Sequence, residues 1–156
     1  MARIDTGPRR RAFLDMLAFS ELGAALLNKS DDGYNVVVGG TLFTSYADHP
    51  HRLVNLPRLN IKSTAAGRYQ LLSRYWDVYR QRLGLADFSP VNQDTVALQQ
   101  IRECGALGDI DAGNIAVAIG KCRRIWASLP GAGYGQHENT LAVLLAQYQR
   151  AAGVTA

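Results

Sequence analysis

The sequence predicts an α+β domain, mostly helical, with a small β-hairpin and a cleft between the hairpin and the helices. Apolar residues recur at helical spacing near the start of the chain and over most of its second half. Between these parts, two short apolar runs flank a Gly-Gly pair, which is typical of a tight hairpin. One helix, then a hairpin, then several helices is an order that indicates an α+β domain.

The first helix and the hairpin are predicted from the N-terminal third of the chain. The helix is expected over residues 8–19, and a turn rich in Asn, Asp and Gly follows it. The runs 36–38 and 41–43 then face each other across Gly39 and Gly40, because glycine permits the positive φ angles of a two-residue turn. We therefore predict the β-hairpin at this place.

Residues 47–64 are predicted to form a long loop. They contain two prolines and mixed polarity without a clear period, and loops of this length in compact domains are usually functional. His49 and His51 flank Pro50 in this segment. Their spacing could indicate a metal, but histidines in a loop are more often solvated, and we interpret them in that way.

The chain after this loop is predicted to be helical. Ser63 or Thr64 is expected to cap a helix with an apolar and aromatic face that ends at Gly84. Tyr69 lies at the start of that helix, where it can be either a core ring or a surface for a ligand.

Three further helices are expected. Ser89 followed by Pro90 predicts the start of one helix, which stops near Gly105. The next is expected over residues 115–122 and the last over residues 138–151, with the glycine-rich segment LPGAGYGQ between them.

Length and composition limit the class of protein. The 156 residues suit one domain over residues 1–156, with 47% apolar and 19% charged residues. The sequence has no run of about 18 apolar residues, and its basic start lacks the apolar segment of a secretory signal peptide. We therefore expect a globular protein without a membrane span that is made and folded in the cytosol.

The net charge of +4 predicts attraction to polyanions such as nucleic acid, anionic lipid or an anionic cell-wall polymer, without choosing among them. The densest basic cluster, from Arg9 to Arg11, is interpreted as a solvated helix start. Cys104 and Cys122 are too few and too far apart for a zinc site or a CxxC motif. Two reduced, buried thiols are expected, with a disulfide as the alternative in an oxidising compartment.

The stretch AFLDMLAFSE, residues 12–21, contains the candidate for chemistry. At helical spacing Phe13, Leu14 and Leu17 share one face. Glu21 falls on the same face, where apolar neighbours would remove solvent, raise its pKa and make it a general acid. The alternative is that Glu21 lies where the helix frays and turns out to water.

Other common catalytic motifs lack support. The sequence contains no Walker-type phosphate loop, no HExxH and no GxSxG. The segments SYADHPH, TAAGRYQ and LPGAGYGQ each carry a tyrosine with polar neighbours, a combination that stacks on sugar faces and hydrogen-bonds to hydroxyl and acetamido groups.

Five segments carry a resemblance to a known family. AFLDMLAFSE, VVVGGTLFTSYADHP, KSTAAGRYQLLSRYWDVYRQRLGL, DFSPVNQDTVALQQI and IWASLPGAGYGQ resemble, in one register over residues 11–136, the bacteriophage lambda endolysin family of phage lytic transglycosylases. The resemblance implies a lysozyme-like fold. It also implies cleavage of the β-1,4 bond between N-acetylmuramic acid and N-acetylglucosamine in peptidoglycan, with formation of a 1,6-anhydromuramoyl end.

The resemblance also implies the site residues. The family's catalytic glutamate belongs to a Ser-Glu pair at the end of the first helix, which here is Ser20 and Glu21. Leu22 stands where the family more often has glycine, and Asn35, where relatives can carry aspartate, is a weak functional candidate. The residues implied to bind substrate are Tyr46 and Asp48 on one lip of the glycan groove, Tyr134 and Gln136 on the other, and Tyr69 and Gln70 of the GRYQ segment.

The expected mechanism uses one carboxyl group as acid and then as base, with the sugar's C6 hydroxyl closing onto C1. One alternative is a true hydrolase with Asp31, Asp32 or Asp48 as second carboxylate. Another is a non-catalytic polyanion-binding or wall-binding module whose arginines carry the affinity.

The resemblance implies a monomer without metal or organic cofactor, with peptidoglycan and not nucleic acid as partner. It also implies that a holin must permeabilise the inner membrane before the protein reaches its periplasmic substrate.

Overall fold

Six α-helices and one short two-stranded sheet make up the fold in residues 1–135 and 137–153, the part of the chain that the computed structural model describes. No helix in this part is both long and apolar enough to cross a membrane. The helices are α1 (Pro8–Lys29), α2 (Ser73–Leu83), α3 (Pro90–Glu103), α4 (Leu107–Ala112), α5 (Ile115–Cys122) and α6 (Leu141–Ala151), and the strands are β1 (Val54–Leu56) and β2 (Ile61–Ser63).

Helix α1 begins where the sequence predicts but is longer than expected. Pro8 occupies its first turn, where a missing N–H costs nothing, and the helix continues past residue 19 to Lys29. At Gly23 the backbone leaves helical geometry with φ of +71°, a conformation that favours glycine. The prediction that the helix ends at residue 19 is therefore wrong, and a kink after Glu21 replaces the predicted end.

The regular hairpin lies in the segment that was predicted to be a loop. Strands β1 and β2 are antiparallel, with Val54 opposite Ser63 and Leu56 opposite Ile61. A 3₁₀ turn joins them and ends at Asn60 in the left-handed conformation. The prediction of an unstructured loop over residues 47–64 is therefore wrong for residues 54–63.

The hairpin predicted around Gly39 and Gly40 forms only a tight turn with an isolated bridge between Val36 and Leu42. Its backbone groups are shared with another segment, since Val38 N donates to Ala65 O at 2.9 Å and Gly67 N donates to Val36 O at 2.8 Å. Because these groups bond elsewhere, a regular two-stranded ladder does not extend from the Gly-Gly turn.

Helix α2 ends as predicted but begins later. Gly84 closes it in the left-handed conformation. The predicted capping residue Thr64 does accept hydrogen bonds at a helix start, but from the N–H and hydroxyl of Ser73, nine residues further along the chain. The prediction of a helix from Ser63 or Thr64 is wrong because residues 65–72 form turns, with a bridge between Ala66 and Leu71.

The turn in the GRYQ segment depends on a glycine. Gly67 has φ of +79°, and a Cβ atom on it would lie 2.3 Å from the side-chain oxygen of Gln93. That oxygen accepts the backbone N–H of Arg68 at 2.9 Å, while the Gln93 amide donates to the backbone oxygens of Tyr34 and Phe88. The close approach of the two segments therefore leaves no room for a side chain at this position.

The C-terminal helices largely confirm the sequence reasoning. Ser89 precedes α3, which starts with Pro90, and α5 occupies the predicted range. Helix α6 begins at Leu141, slightly later than predicted, after Thr140 accepts a hydrogen bond from the third helical N–H. Helix α4, with only six residues, was not predicted.

Two apolar clusters form the core. The larger joins α1 to the helices of the second half, with Phe13, Leu14 and Leu17 completely buried. The smaller lies under the irregular segment before α2 and contains Trp76 and Phe88. Both cysteines are free thiols, Cys122 buried and Cys104 half-buried, as the sequence reasoning expected by default.

A buried acid connects the N-terminal residues to α3. Asp94 is completely buried and accepts hydrogen bonds from the hydroxyls of Tyr34 at 2.9 Å and Tyr69 at 2.6 Å. Its second oxygen accepts the backbone N–H groups of Arg3 at 2.6 Å and Ile4 at 2.9 Å. Four donors satisfy this carboxylate, so its role is structural.

Candidate active site

Glu21 borders a cavity of about 450 Å³ between α1, the hairpin and the segment before residue 128. It follows Leu17 by four residues and Leu14 by seven on α1, and both leucines are buried in the core. The helix continues beyond Glu21 and does not fray there. The side chain is half-buried, with its carboxyl group at the inner wall of the cavity.

The electrostatic state of Glu21 is unusual for a glutamate. Burial raises its pKa to about 7, although hydrogen bonds from Ser128 act in the opposite direction. No cation is among the causes that shift it. The carboxyl group is therefore protonated in a large fraction of molecules near neutral pH, and it can donate a proton and take one back.

A hydrogen-bonded network holds the carboxyl group in place. The Ser128 hydroxyl donates to Glu21 Oε1 and lies 2.8 Å from the hydroxyl of Ser20. Asn139 donates from its side-chain amide to the Ser20 hydroxyl at 3.1 Å and to the Ser20 carbonyl oxygen at 3.2 Å. The network joins the kinked helix to the segment that precedes α6.

Sequence reasoning included Ser20 in the Ser-Glu pair and Ser128 in the IWASLPGAGYGQ segment, but it did not connect Ser128 with the Ser-Glu pair and did not identify Asn139. Ser128 and Asn139 are more than a hundred positions away from Ser20 and Glu21 in the chain, and no periodic pattern connects them.

The walls of the cavity are mainly apolar and aromatic. One wall is the β1–β2 hairpin, the opposite wall is the segment 124–127, and the start of α2 closes one end. Several of these side chains are strongly exposed for apolar residues, Tyr75 at 46% among them. The described lining residues are Glu21, Val38, Leu56, Leu59, Ile61, Ser63, Ala65, Tyr69, Gln70, Leu71, Leu72, Tyr75, Tyr79, Gln100, Arg124, Ile125, Trp126 and Ala127.

Tyr69 and Gln70 of the GRYQ segment both line this cavity. The hydroxyl of Tyr69 is committed to Asp94, so this residue offers the cavity part of its ring and not a free hydroxyl. Its backbone oxygen accepts the indole N–H of Trp126 at 3.1 Å. Gln70 adopts φ of +50°, and its amide donates to the Gly67 carbonyl oxygen at 2.9 Å.

The structure does not bring Tyr46 and Asp48 to the described wall of the cavity. The Tyr46 hydroxyl donates to Asp31 at 2.6 Å. Asp48 accepts the indole N–H of Trp76 at 2.7 Å and forms an ion pair with Arg80 at 3.1 Å. Asp31 follows α1, and Trp76 and Arg80 belong to α2, so both residues contact neighbouring segments. Their role in substrate binding stays a prediction.

Tyr134 lies on a groove that continues from the cavity. Its side chain is 57% exposed, and its hydroxyl donates to the backbone oxygen of Arg124 at 3.1 Å. It therefore lies beside the cavity, and its role in substrate binding stays a prediction. Gln136, the other residue predicted on this lip, lies outside the described residues.

The other acidic candidates are engaged elsewhere. Asp31 binds Tyr46 and Arg3, and these contacts lower its pKa. For Asp32, burial alone would raise the pKa, but Arg68 and the N-terminal amine lower it. For Asp48, burial alone would likewise raise the pKa, but the hydrogen bonds from Trp76 and the His49 N–H together with the charge of Arg80 lower it. None of these carboxylates lines the described cavity.

The histidine prediction is wrong for one of the two residues. His49 is buried, packs against Phe88 with 4.8 Å between ring centroids, and has Nε2 2.9 Å from the Leu71 oxygen. Burial lowers its pKa. His51 is exposed, as predicted. In the described part of the chain no group of three or more metal-ligating side chains is present.

Two further positions raised by the sequence have structural roles. Asn35 accepts the backbone N–H of Asp31 through its side chain at 2.9 Å and so closes the turn after α1. Leu22 packs over the backbone of Gly33, where a Cβ atom would lie 2.6 Å from its Cδ1. Neither residue lines the described cavity around Glu21.

A helical body, a short hairpin and a cleft with one enclosed glutamate between them define a lysozyme-like protein. The endolysin family model matches residues 11–155, and the chain belongs to this endolysin family. The endolysin of Escherichia phage lambda is 58% identical over 152 residues, which cover 96% of this chain and 95% of that protein. The endolysin of Escherichia phage P2 is 49% identical over 167 residues, with complete coverage of both chains.

Solved structures agree with this assignment. Bacteriophage lambda lysozyme in complex with a chitohexasaccharide superposes with a TM-score of 0.90 at 54% identity, covering 99% of this chain and 100% of that one. A second structure of lysozyme from bacteriophage lambda gives a TM-score of 0.83 at 55% identity, covering 96% and 97%. The lysozyme-like fold and the phage endolysin family predicted from the sequence are thus confirmed.

Proposed function

We propose that the chain is a peptidoglycan lytic transglycosylase that cuts the β-1,4 bond between N-acetylmuramic acid and N-acetylglucosamine and leaves a 1,6-anhydromuramoyl end. One observation carries the proposal: among the described residues of the cavity, Glu21 is the sole carboxylate, and its pKa is about 7. Hydrolases of the usual kind need two carboxylates flanking the scissile bond. A single acid suits a reaction in which the substrate supplies the nucleophile.

In the proposed reaction, the protonated Glu21 donates to the glycosidic oxygen as the bond from that oxygen to C1 breaks. The acetamido group of the sugar stabilises the positive charge that develops at C1. The Glu21 carboxylate then takes the proton of the C6 hydroxyl, and O6 forms the new bond to C1. No water is consumed, and Glu21 returns to its protonated form.

The Ser128 hydroxyl supports this cycle because it can donate to the carboxylate while Glu21 is ionised. Without this bond, burial would make the ionised form still less stable. The network through Ser20 and Asn139 limits the rotation of both groups. We propose these three residues as positioning residues for Glu21.

Substrate binding is proposed for the residues of the GRYQ segment and of the lip. Tyr69 offers a ring edge, Gln70 a side-chain amide, and Tyr134 an exposed ring for stacking on sugar faces. Gln136 is proposed with them from the resemblance alone. Lambda lysozyme, complexed with a chitohexasaccharide, shares the fold, which supports a glycan in the cleft. Tyr46 and Asp48 are likewise proposed as substrate-binding residues from the resemblance alone.

The alternative of a true hydrolase is not favoured by the described contacts. Its second carboxylate was expected among Asp31, Asp32 and Asp48, and each of these is bound to a cation or to hydrogen-bond donors away from the cavity. The two mechanisms are separated by mass spectrometry of muropeptides released from Gram-negative sacculi. Anhydro ends weigh one water less than the reducing ends that a hydrolase would leave.

A matched experiment tests the role of Glu21. The Glu21→Gln variant keeps the shape of the side chain but cannot transfer the proton, so muropeptide release should fall by several orders of magnitude. Asp5→Asn removes an exposed carboxylate outside the cavity lining and serves as the control, with release expected near the wild-type rate. A folded Glu21→Gln protein that clears sacculi at the wild-type rate would exclude the proposal.

In the cell, we propose that the chain acts as a single monomeric domain over residues 1–156, without metal or organic cofactor. Its substrate lies in the periplasm, and a holin is proposed to give access to it. Expression of the protein alone should leave cells intact, whereas co-expression with a holin should lyse them. Lysis at the same rate without the holin would contradict this part of the proposal.

A further inference from the structure

A second groove continues from the Glu21 cavity across the tip of the hairpin. It has a volume of about 590 Å³. It shares most of its lining with the cavity wall, namely Leu59, Ile61, Leu72, Tyr75, Arg124, Ile125 and Ala127. Beyond these shared residues it extends to Arg58 and Tyr134. The groove therefore overlaps the cavity that Glu21 lines and extends beyond it.

Two arginine side chains line this groove. Arg58 is exposed in the turn between β1 and β2, and Arg124 is exposed at the base of the lip. Arg124 donates from Nη2 to the Glu103 carbonyl oxygen at 2.6 Å, which fixes the direction of its side chain. None of the described residues that line the groove carries a carboxylate, so the charge of its walls is positive.

Binding of a glycan without peptide stems does not explain why two arginines line this groove. The rings of N-acetylglucosamine and N-acetylmuramic acid are neutral once the lactyl group of the latter is amide-linked to a peptide. The anionic groups of peptidoglycan are the free carboxylates of its peptide stems. Arginine binds carboxylates through paired N–H donors, and it binds neutral sugars without this advantage.

The rest of the groove fits a short peptide. Leu59, Ile61 and Ile125 are each about two-fifths exposed, at 41%, 40% and 39%, and they add apolar surface to the groove that the two arginines line. Small side chains such as the methyl group of alanine can pack on this surface while neighbouring carboxylates reach the cations.

We infer that the groove bordered by Arg58 and Arg124 binds the acidic peptide stem of peptidoglycan, next to the bond that is cut. This inference rests on the proposed function, since it assigns the stem to the muramic acid residue at the cavity. The stem then contributes binding energy in addition to the glycan, and the protein distinguishes stem-bearing strands from bare ones.

The test measures binding without turnover. All proteins carry Glu21→Gln, and isothermal titration compares soluble peptidoglycan oligomers that bear stems with the same oligomers after an amidase has removed the stems and the freed lactyl carboxylates have been converted to neutral amides. The stem-bearing oligomer should bind about threefold to twentyfold more tightly, the range given by two exposed ion pairs. The difference should shrink in 0.5 M salt because these pairs are open to solvent.

The variant that tests the two arginines carries R58Q and R124Q in addition to Glu21→Gln. It should bind both oligomers with equal affinity. The matched control adds R102Q and R150Q, which remove the same charge from exposed positions outside the groove, and it should keep the difference between the two oligomers. A far-ultraviolet circular dichroism spectrum that matches the parent's shows that the R58Q/R124Q variant is folded.

Equal affinity of the parent for both oligomers would overturn the inference, and so would a preference for stems that survives R58Q/R124Q. These outcomes are distinct from failure of the proposed function. That failure appears as reducing ends from the wild-type enzyme, or as cleavage by the Glu21→Gln parent during the titration, and mass spectrometry detects both.

Discussion

Replacing Glu21 by glutamine should stabilise the protein at alkaline pH while it removes activity. Burial raises the pKa of Glu21 from 4.5 to about 7 in the folded state. A difference of about 2.5 units, at about 1.36 kcal/mol per unit, corresponds to about 3 kcal/mol. The free energy of unfolding is therefore lower by this amount when Glu21 is ionised in the folded protein.

The sign of the pH dependence follows from proton binding. Between about pH 4.5 and pH 7 the unfolded chain has lost the Glu21 proton while the folded protein still holds it. The folded state binds more protons, so wild-type stability falls as the pH rises through this interval and stays lower above it. Glutamine does not titrate, so the Glu21→Gln variant lacks this fall.

Urea unfolding at pH 4 and pH 8 measures the effect. The free energies of unfolding of the variant and the wild type should agree closely at pH 4, and the variant should be more stable by about 2–3 kcal/mol at pH 8. Glu138→Gln is a control for which the expected change in stability has the opposite sign. The backbone N–H groups of Gly133 and Gly131 lower the pKa of Glu138, so this variant should lose stability at pH 8 and not at pH 4.

A difference between Glu21→Gln and wild type that is the same at both pH values would refute the reasoning. It would mean that Glu21 titrates normally in the folded protein, and the proposed proton donor near neutral pH would no longer have a physical basis.

Three further predictions concern single side chains. Ser128→Ala removes a bond to the ionised carboxylate, so the pKa of Glu21 should rise and the alkaline limb of the kcat/KM profile should move up by about one pH unit. Ser128→Thr keeps the hydroxyl and should keep the wild-type limb. Gly67→Ala should cost about 1–3 kcal/mol in urea unfolding, because of its positive φ and the contact with Gln93, and wild-type stability would contradict the described turn. Asp94→Ala leaves four donors unpaired and should cost about 3 kcal/mol or more by the same measurement, whereas a loss under 1 kcal/mol would show that water replaces the acid.

Local sequence signals predicted the elements that local interactions determine. Proline in the first turn marks the start of α1 and α3, and glycine in the left-handed conformation marks the end of α2. The face of α1 that carries Leu14, Leu17 and Glu21 was predicted from helical spacing alone. That spacing identifies Glu21 as the candidate acid without any knowledge of tertiary contacts.

Local sequence signals gave wrong predictions where contacts with a distant segment determine the structure. The runs beside Gly39 and Gly40 have hairpin character, but Ala65 and Gly67 take up part of their backbone hydrogen bonds. Thr64 looked like the cap of an adjacent helix, and it accepts hydrogen bonds from Ser73 instead. A sequence window of ten residues does not contain the distant partner, so it does not predict tertiary pairings of this kind.

The site shows the same limit. Glu21 was found because its own helix determines its position, whereas the contacts of Ser128 and Asn139 with the Ser-Glu pair depend on how the last third of the chain packs. Tyr46 and Asp48 belong to a segment like that of a family groove, but their hydrogen-bonding partners, Asp31 and Trp76, hold them away from the cavity.

The bond between Ser128 and Glu21 spans 107 positions, and Asn139 reaches Ser20 across 119. During synthesis, the ribosome has released the first of these residues long before it makes the last. A nascent chain therefore carries an ordinary, fully ionised glutamate at position 21, and the proton donor comes into existence only when the late segment docks. The candidate site is therefore complete only after residues 128–139 have been made, because of the order in which the polypeptide emerges.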